Sequence, residues 1–366
     1  MSSEPPAVRD LRATAYRIPT AGPEADGTLA WDSTTIVVVE VSAGDVQGLG
    51  WTYGDASCVG LINQLLAPVV IDRPLLAVPQ AWQAMQQRIR NLGRPGLVSC
   101  AMSAVDIGLW DAAARWLGVT VADLLGRCRD EVQVYGSGGF TSYDDDQLTD
   151  QLQSWTDDLR HRRIKIKIGE SWGGRAAEDL RRVSVARDTI GGNVELFVDA
   201  NGAYTVGQAR RMADALDDLD VTWFEEPVPS DDLAGLATVR ASTTIDIAAG
   251  EYGYDLGYFA RMAPVVDCLQ VDVTRCGGYT EWRRAAAVAA AHGLEISAHC
   301  APNLSVQAAA ATANFRHLEW FVDHDRIESE LFDGWLSPHD GSVTVPHTVA
   351  GHGLTLRREA AEPYAV

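Results

Sequence analysis

Three short apolar runs, VELFVDAN, VTWFEEPV and IDIAAGEY, carry Asp199, Glu225 and Glu251 near their ends, at two successive intervals of 26 residues. That interval is the length of one strand, one helix and their loops, so three consecutive strands of a parallel barrel would bring the carboxylates to one point. Converging carboxylates repel one another unless a cation lies between them. Oxygen ligands select a hard ion, and Mg2+ is the expected one.

The same rhythm extends on both sides of these runs. VQVYGSGG, RRIKIKIG, VELFVDAN, VTWFEEP, TIDIAAGE, CLQVDVTR, LEISAHC and HLEWFVD supply eight strands, with helical patterns such as GQARRMADALDDL and EWRRAAAVAAAHG between them. Strand and helix in alternation predict an α/β chain with a (β/α)-type barrel over residues 131–340 and its active site at the strands' carboxyl ends. Residues 1–130 have a different texture. TTIVVVEVSAG and GLGWTY read as an antiparallel meander, followed by helices over PQAWQAMQQRIRNL and LVSCAMSAVDIGLWDAAARWLG, the last stopped by Gly118. The Pro/Gly-rich tail, residues 341–366, is expected to return to this first α+β domain.

Thirty Lys and Arg against fifty Asp and Glu give a net charge of −20, a surface that repels nucleic acid and anionic membrane. The expected partner is a small carboxylate bound in a pocket that carries its own cations. Six scattered cysteines without a CxxC pair read as reduced residues of a cytoplasmic protein. MSSEPPAVRD lacks the pattern of a signal peptide, and no uncharged apolar run is long enough to predict a membrane span. The sequon Asn303-Leu304-Ser305 is then a chance match.

Side chains alternate along a strand, so in RRIKIKIG the isoleucines share one face while Lys165 and Lys167 share the other. An isolated KxK describes an edge strand with solvated lysines. Here the following strands present Asp199 with Asn201, then Glu225, then Glu251, so both ammonium groups are predicted to point into the barrel mouth. Parity also places Asp272, His299 and Glu319 at the ends of the last three strands, where Asp272 can hydrogen-bond the His299 ring and fix its tautomer. Other readings are weaker. Ser137 is a candidate substrate contact, and Asn201 either orients a metal-bound water or caps a loop. Arg275 reads more readily as a surface residue than as a ligand for a distal substrate group. Asp323 to Glu328, DHDRIE, reads as a solvated helix start, and His347 and His352 need no special role.

KxK, DAN, EEP, GE, an Asp followed by GGxTE and a strand-end His occur here in order. The chain resembles the enolase superfamily and, within it, the mandelate racemase subgroup of the mandelate racemase/muconate lactonizing enzyme family. The resemblance implies a modified (β/α)7β barrel of the TIM type, with an α+β capping domain built from the N-terminal region and the C-terminal tail. It implies that Asp199, Glu225 and Glu251 hold Mg2+ and that Lys167 and the His299–Asp272 pair serve opposite faces of a substrate carbon. Lys165 would sit by the substrate carboxylate and lower the pKa of Lys167. Glu319 would donate a hydrogen bond to the developing enolate and must then be protonated. A symmetric homo-oligomer is also implied.

Bases on two faces allow either dehydration, with His299 protonating a departing β-hydroxyl, or racemisation and epimerisation; cycloisomerisation and a non-catalytic metal-binding protein are further alternatives. The resemblance implies specificity loops in the capping domain, here Pro19–Ser33 and Trp51–Ser57, that would select among them. They offer Glu24, Asp26, Thr28, Trp31, Tyr53 and Asp55, a polar lid that suits the hydroxyls of a sugar acid, with Trp31 and Tyr53 as substrate contacts. Acid-sugar dehydration is the expected activity.

Overall fold

The computed structural model describes residues 4–366. Strands β1 (Val8–Ala25), β2 (Ala30–Ala43) and β3 (Val46–Tyr53) pair antiparallel in that order. The helix Leu97–Leu117 packs on this sheet so closely that a Cβ on Gly50 would lie 2.3 Å from the Ala104 carbonyl oxygen. Glycine is what lets the two backbones touch. Among the described residues this helix alone is long and apolar enough to cross a bilayer. It is a core helix instead, with Asp106 and Asp111 fully buried along it.

Eight parallel strands follow: β4 (Glu131–Gly138), β5 (Arg163–Lys167), β6 (Glu195–Asp199), β7 (Val221–Glu225), β8 (Asp246–Ala249), β9 (Cys268–Val271), β10 (Glu295–Ala298) and β11 (Phe315–Phe321). They neighbour one another in sequence order, and β11 closes the barrel on β4. Each of the first seven strands returns to the next through a helical segment, the (β/α)7β arrangement. Ile164 and Ile166 of β5 join the large core shared with the helices. The inward face holds a separate apolar floor of Tyr135, Phe197, Trp223, Ala248 and Cys268. The His317 ring lies 4.9 Å from Tyr135 and from Trp223 at this floor. Burial, with Arg316 nearby, holds its pKa well below the usual imidazole range, so it is a neutral packing residue.

Three expectations about the cap change. The segment Pro19–Ser33 is not a loop but the end of a hairpin: β1 and β2 pair on past a register shift between Pro19 and Glu24, and only the tip turns, on hydrogen bonds from the Thr28 and Leu29 amides to Asp26 Oδ1. The tip is tied to the barrel, where the Thr141 amide donates to Ala25 O and the Trp172 amide to Gly27 O. The helix Val322–Leu331 after β11 is not solvated at its start. Asp323 and Glu328 are buried, and both meet the cap: Thr34 Oγ1 donates to Asp323 at 2.5 Å and Tyr53 Oη to Glu328 at 3.1 Å. His352, read as having no role, is buried in the tail and joins it to the cap. Its Nε2 lies 2.7 Å from Leu49 O, and its amide donates to Asp111 Oδ1. Asp111 also accepts from the Leu49 amide and from Arg115 Nε.

Two predictions concern these locks. Asp111→Ala leaves Arg115 and two buried amides without their acceptor, and should cost about 3 kcal/mol of stability by denaturant titration, the scale for breaking one side of a buried ion pair. Glu24, which accepts the Trp31 indole N–H at 2.8 Å, has its pKa pushed up from 4.5 to about 7 by burial and then by Asp323. The folded state therefore holds its proton more tightly than the unfolded chain does, and stability falls as pH rises from 4.5 towards 7. Glu24→Gln should remove that fall, so its stability advantage over the parent grows across this window and is constant above it, read from midpoints at several pH values.

Candidate active site

Asp199 and Glu225 end β6 and β7 and continue the inward parity of Phe197 and Trp223 below them. Glu251 breaks that parity. Ala248 already faces inward on β8, and Glu251 reaches the same point because Gly250 turns the backbone at φ 135°. A Cβ at position 250 would lie 2.3 Å from Gln270 O, so a side chain is excluded there as well. Oxygens of the three acids lie within 4.8 Å of one another, all three side chains buried. Glu251 Oε2 and the buried Asn201 Oδ1 have no hydrogen-bond partner in the protein. An all-oxygen donor set with unsatisfied lone pairs fits a hard divalent cation.

Lys165 and Lys167 point inward as parity requires, and both are buried. Lys165 Nζ lies 2.5 Å from Glu225, 2.7 Å from Glu319 and 3.6 Å from Asp199. Lys167 Nζ lies 2.5 Å from Asp199 Oδ2. These contacts outweigh one expected pKa effect, that of Lys165 on Lys167, and reverse another. Burial and Lys165 pull Lys167 down, but Asp199 together with Glu319 and Glu225 outweighs them and raises it above the usual lysine range. Burial pushes Glu319 up, yet Lys165, His299 and Lys167 overcome it and hold the carboxyl well below its usual range. Glu319 is thus an ionised acceptor, not a protonated donor. Ser137 Oγ donates to it at 2.6 Å, so Ser137 supports Glu319 and is not on the cavity wall.

His299 Nδ1 lies 2.7 Å from Asp272 Oδ2, and the other Asp272 oxygen accepts from the Thr274 amide and hydroxyl. Burial raises the Asp272 pKa, but His299 and Arg275 outweigh it and keep the acid ionised, so Nδ1 carries a proton towards it. Burial pulls the His299 pKa down, but Glu251, Glu319 and the Asp272 hydrogen bond raise it overall, which favours a second proton on Nε2 facing the cavity. Arg275, read as a surface residue, also faces this site: its guanidinium meets Glu251 at 3.0 Å and Asp272 at 3.3 Å. A compact RCGG turn after β9 puts it there, a placement that alternation along the strand does not encode.

The cavity above these groups holds about 340 Å³. Lys167, Asn201, Glu251, Arg275 and His299 form its floor, and Asp26, Trp31, Thr34 and Tyr53 come down from the cap. Tyr53 stacks on the His324 ring, and Trp31 meets Phe140 edge on at 5.7 Å. Trp31 and Tyr53 are therefore walls of the cavity. Glu24 stands behind Trp31, and Asp55 is exposed, accepting from the Ser57 amide in its own turn. His324 and Cys300 were not anticipated from the sequence; Cys300 follows the catalytic candidate His299 directly, the one signal that marked it.

Comparison with known proteins agrees with this geometry. The model for the mandelate racemase/muconate lactonizing enzyme N-terminal domain matches residues 11–126, and that for the enolase C-terminal domain-like family matches residues 147–360. The chain is 32% identical to D-galactarolactone cycloisomerase of Agrobacterium fabrum, over 92% of this chain and 93% of that one. It is 29% identical to L-talarate/galactarate dehydratase of Salmonella typhimurium, over 89% and 81% of the two chains. A solved mandelate racemase/muconate lactonizing enzyme-like protein from Rubrobacter xylanophilus superposes with a TM-score of 0.96 at 46% identity, covering 99% of this chain and 100% of that one. A racemase from Streptomyces coelicolor with bound magnesium gives 0.92 at 30% identity, covering 98% and 100%. The chain belongs to the mandelate racemase/muconate lactonizing enzyme family of the enolase superfamily, and is an enzyme of the lyase or isomerase type.

Proposed function

We propose that this enzyme removes the proton beside the carboxylate of a sugar acid and expels the hydroxyl on the next carbon, yielding a 2-keto-3-deoxy acid. One observation carries the reading: Lys167 and His299 reach a single cavity from β5 and the end of β10, three places apart in a ring of eight, with Glu251 and Asn201 in the same floor. A proton donor and a proton acceptor on opposite sides of a bound carbon are what removal and elimination require.

Asp199, Glu225 and Glu251 would hold Mg2+. A divalent ion held there would supply positive charge against the developing enolate and would offset the Asp199 charge that raises the Lys167 pKa. Lys167 then removes the alpha proton. His299, oriented by Asp272, delivers a proton to the departing oxygen from Nε2. Glu319 holds Lys165 in place through its ion pair and does not itself donate. The Thr34, Ser33 and Tyr53 hydroxyls and the Asn201 amide give a sugar's hydroxyls partners on the cavity wall.

A second reading is favoured by the cycloisomerase relative at 32% identity. If the oxygen expelled belongs to a ring of the substrate, the same elimination opens the ring without releasing water. Magnesium-loaded protein with a panel of sugar acids and their lactones in heavy water separates the outcomes. A keto product lighter by one water supports dehydration, and an isomer formed only from a lactone supports cycloisomerisation. Deuterium entry with no new product supports racemisation, and silence with magnesium bound supports the non-catalytic reading. Lys167→Ala and His299→Asn should each lower turnover at least about 100-fold, the scale of acid–base catalysis. Their Mg2+ affinity, measured by calorimetry, should not weaken. Turnover retained in both variants overturns these roles.

A further inference from the structure

Cys300 is placed in a way that an ordinary strand end does not allow. Successive side chains of a strand diverge, so the residue after His299 should turn away from it. Cys300 and Ala301 instead adopt left-handed conformations, φ 47° and 42°, which are strained for residues with side chains. The turn is held by the Cys300 amide donating to Glu319 Oε2 at 3.2 Å and by Ser305 Oγ donating to Cys300 O at 2.8 Å. Its result is that the thiol comes back beside the His299 ring, with both residues on the cavity wall.

Three unlike donor atoms thereby converge. Cys300 Sγ is 3.3 Å from His299 Nε2 and 3.4 Å from Glu319 Oε2, and those two atoms are 3.7 Å apart. A tetrahedral ion with ligand bonds of about 2.0–2.3 Å has ligand–ligand edges of roughly 3.3–3.8 Å. The triangle has that size before any ion is present. Each donor is also oriented from behind. Asp272 accepts from Nδ1–H and so turns Nε2 towards the thiol, the carboxylate–histidine arrangement that supports a metal ligand. Ser137 and Lys165 occupy Glu319 Oε1 and leave Oε2 to face the thiol.

We propose that His299, Cys300 and Glu319 form a second metal site, separate from the three-carboxylate cluster, that takes a thiophilic divalent ion such as Zn2+ and leaves a fourth position open to the cavity. One sulfur, one nitrogen and one oxygen ligand favour such an ion over Mg2+, which the all-oxygen cluster suits. Binding displaces the thiol proton and the Nε2 proton of His299 to solvent, and the ion takes the lone pair so freed on Nε2. The site itself stands on geometry alone. Its consequence, that zinc blocks turnover, rests on the catalytic role proposed above for His299.

The test adds Co2+ to protein already saturated with Mg2+, because Glu251 lies within 3.3 Å of His299 Nε2 and both clusters are in reach. One equivalent per chain should produce a thiolate-to-cobalt absorption in the near ultraviolet together with intense tetrahedral visible bands. Both should vanish in Cys300→Ser and persist in Cys268→Ser, a change confined to the barrel floor; circular dichroism confirms folding, and Cys300→Ala substitutes if the serine variant misfolds. No thiolate band in the parent protein, or an unchanged band in Cys300→Ser, overturns the site. Zn2+ should inhibit the Mg2+-loaded parent, and at least about 10-fold more should be needed for Cys300→Ser, a loss on the scale of even an outer-shell partner. A cobalt band accompanied by undiminished turnover in zinc would leave the metal site standing and overturn the blocking role through His299.

Discussion

Six carboxylates, Asp199, Glu225, Glu226, Glu251, Asp272 and Glu319, meet at one end of the barrel with none more than 2% exposed. Left alone they could not all ionise. Burial together with Asp199, Glu319 and Glu251 pushes Glu225 up to about 8 even with Lys165 beside it, and Glu226 rises well above its usual range through burial, Glu251 and Asp199. Lys165, Lys167 and Arg275 are the protein's own counter-charges, and each touches at least one of the acids. Three cations for six acids leave the mouth short of positive charge. The cluster is in this sense built around a charge that the chain itself does not supply, and the unsatisfied Glu251 and Glu226 oxygens show where the shortage lies.

Much of this was legible because a barrel strand has a period of two. Lys165, Lys167, Asp199, Glu225, Asp272, His299 and Glu319 all lie where alternation puts them, and the 26-residue interval made the strands consecutive. What alternation could not supply are the positions set by turns. Glu251 depends on the positive φ of Gly250, and Arg275 returns to the acids through the turn after β9. The charged states were not legible either. Lys165 does lower Lys167, as the resemblance implied, but Asp199, Glu319 and Glu225 outweigh it, and Lys165, His299 and Lys167 together ionise the Glu319 that the resemblance implied to be protonated.

The cap was misread for a related reason. The resemblance implied a loop at Pro19–Ser33, yet hairpin pairing continues through it and tertiary hydrogen bonds pin its tip to the barrel. DHDRIE looked solvated because four of its six residues are charged at neutral pH. Asp323 and Glu328 are buried against Thr34 and Tyr53, groups nearly 300 residues earlier that no local pattern could pair with them.

Backbone strain falls where the chemistry is. Of the ten described non-glycine residues with positive φ, Ser171, Trp172, Asn201, Glu226, Cys300 and Ala301 follow the carboxyl ends of barrel strands. At on the order of 1–3 kcal/mol each, these conformations cost as much as many single-residue contacts contribute. They persist because the strands beneath them are fixed by the aromatic floor and the shared helical core, which over-determine where each strand must end. The regular lower barrel thus supplies the rigidity, and the irregular upper turns use it to aim side chains that alternation alone would send elsewhere. That division explains why strand alternation brings out most of the candidate acids and bases, while Glu251, Arg275 and the cavity walls from the cap depend on turns and long-range contacts.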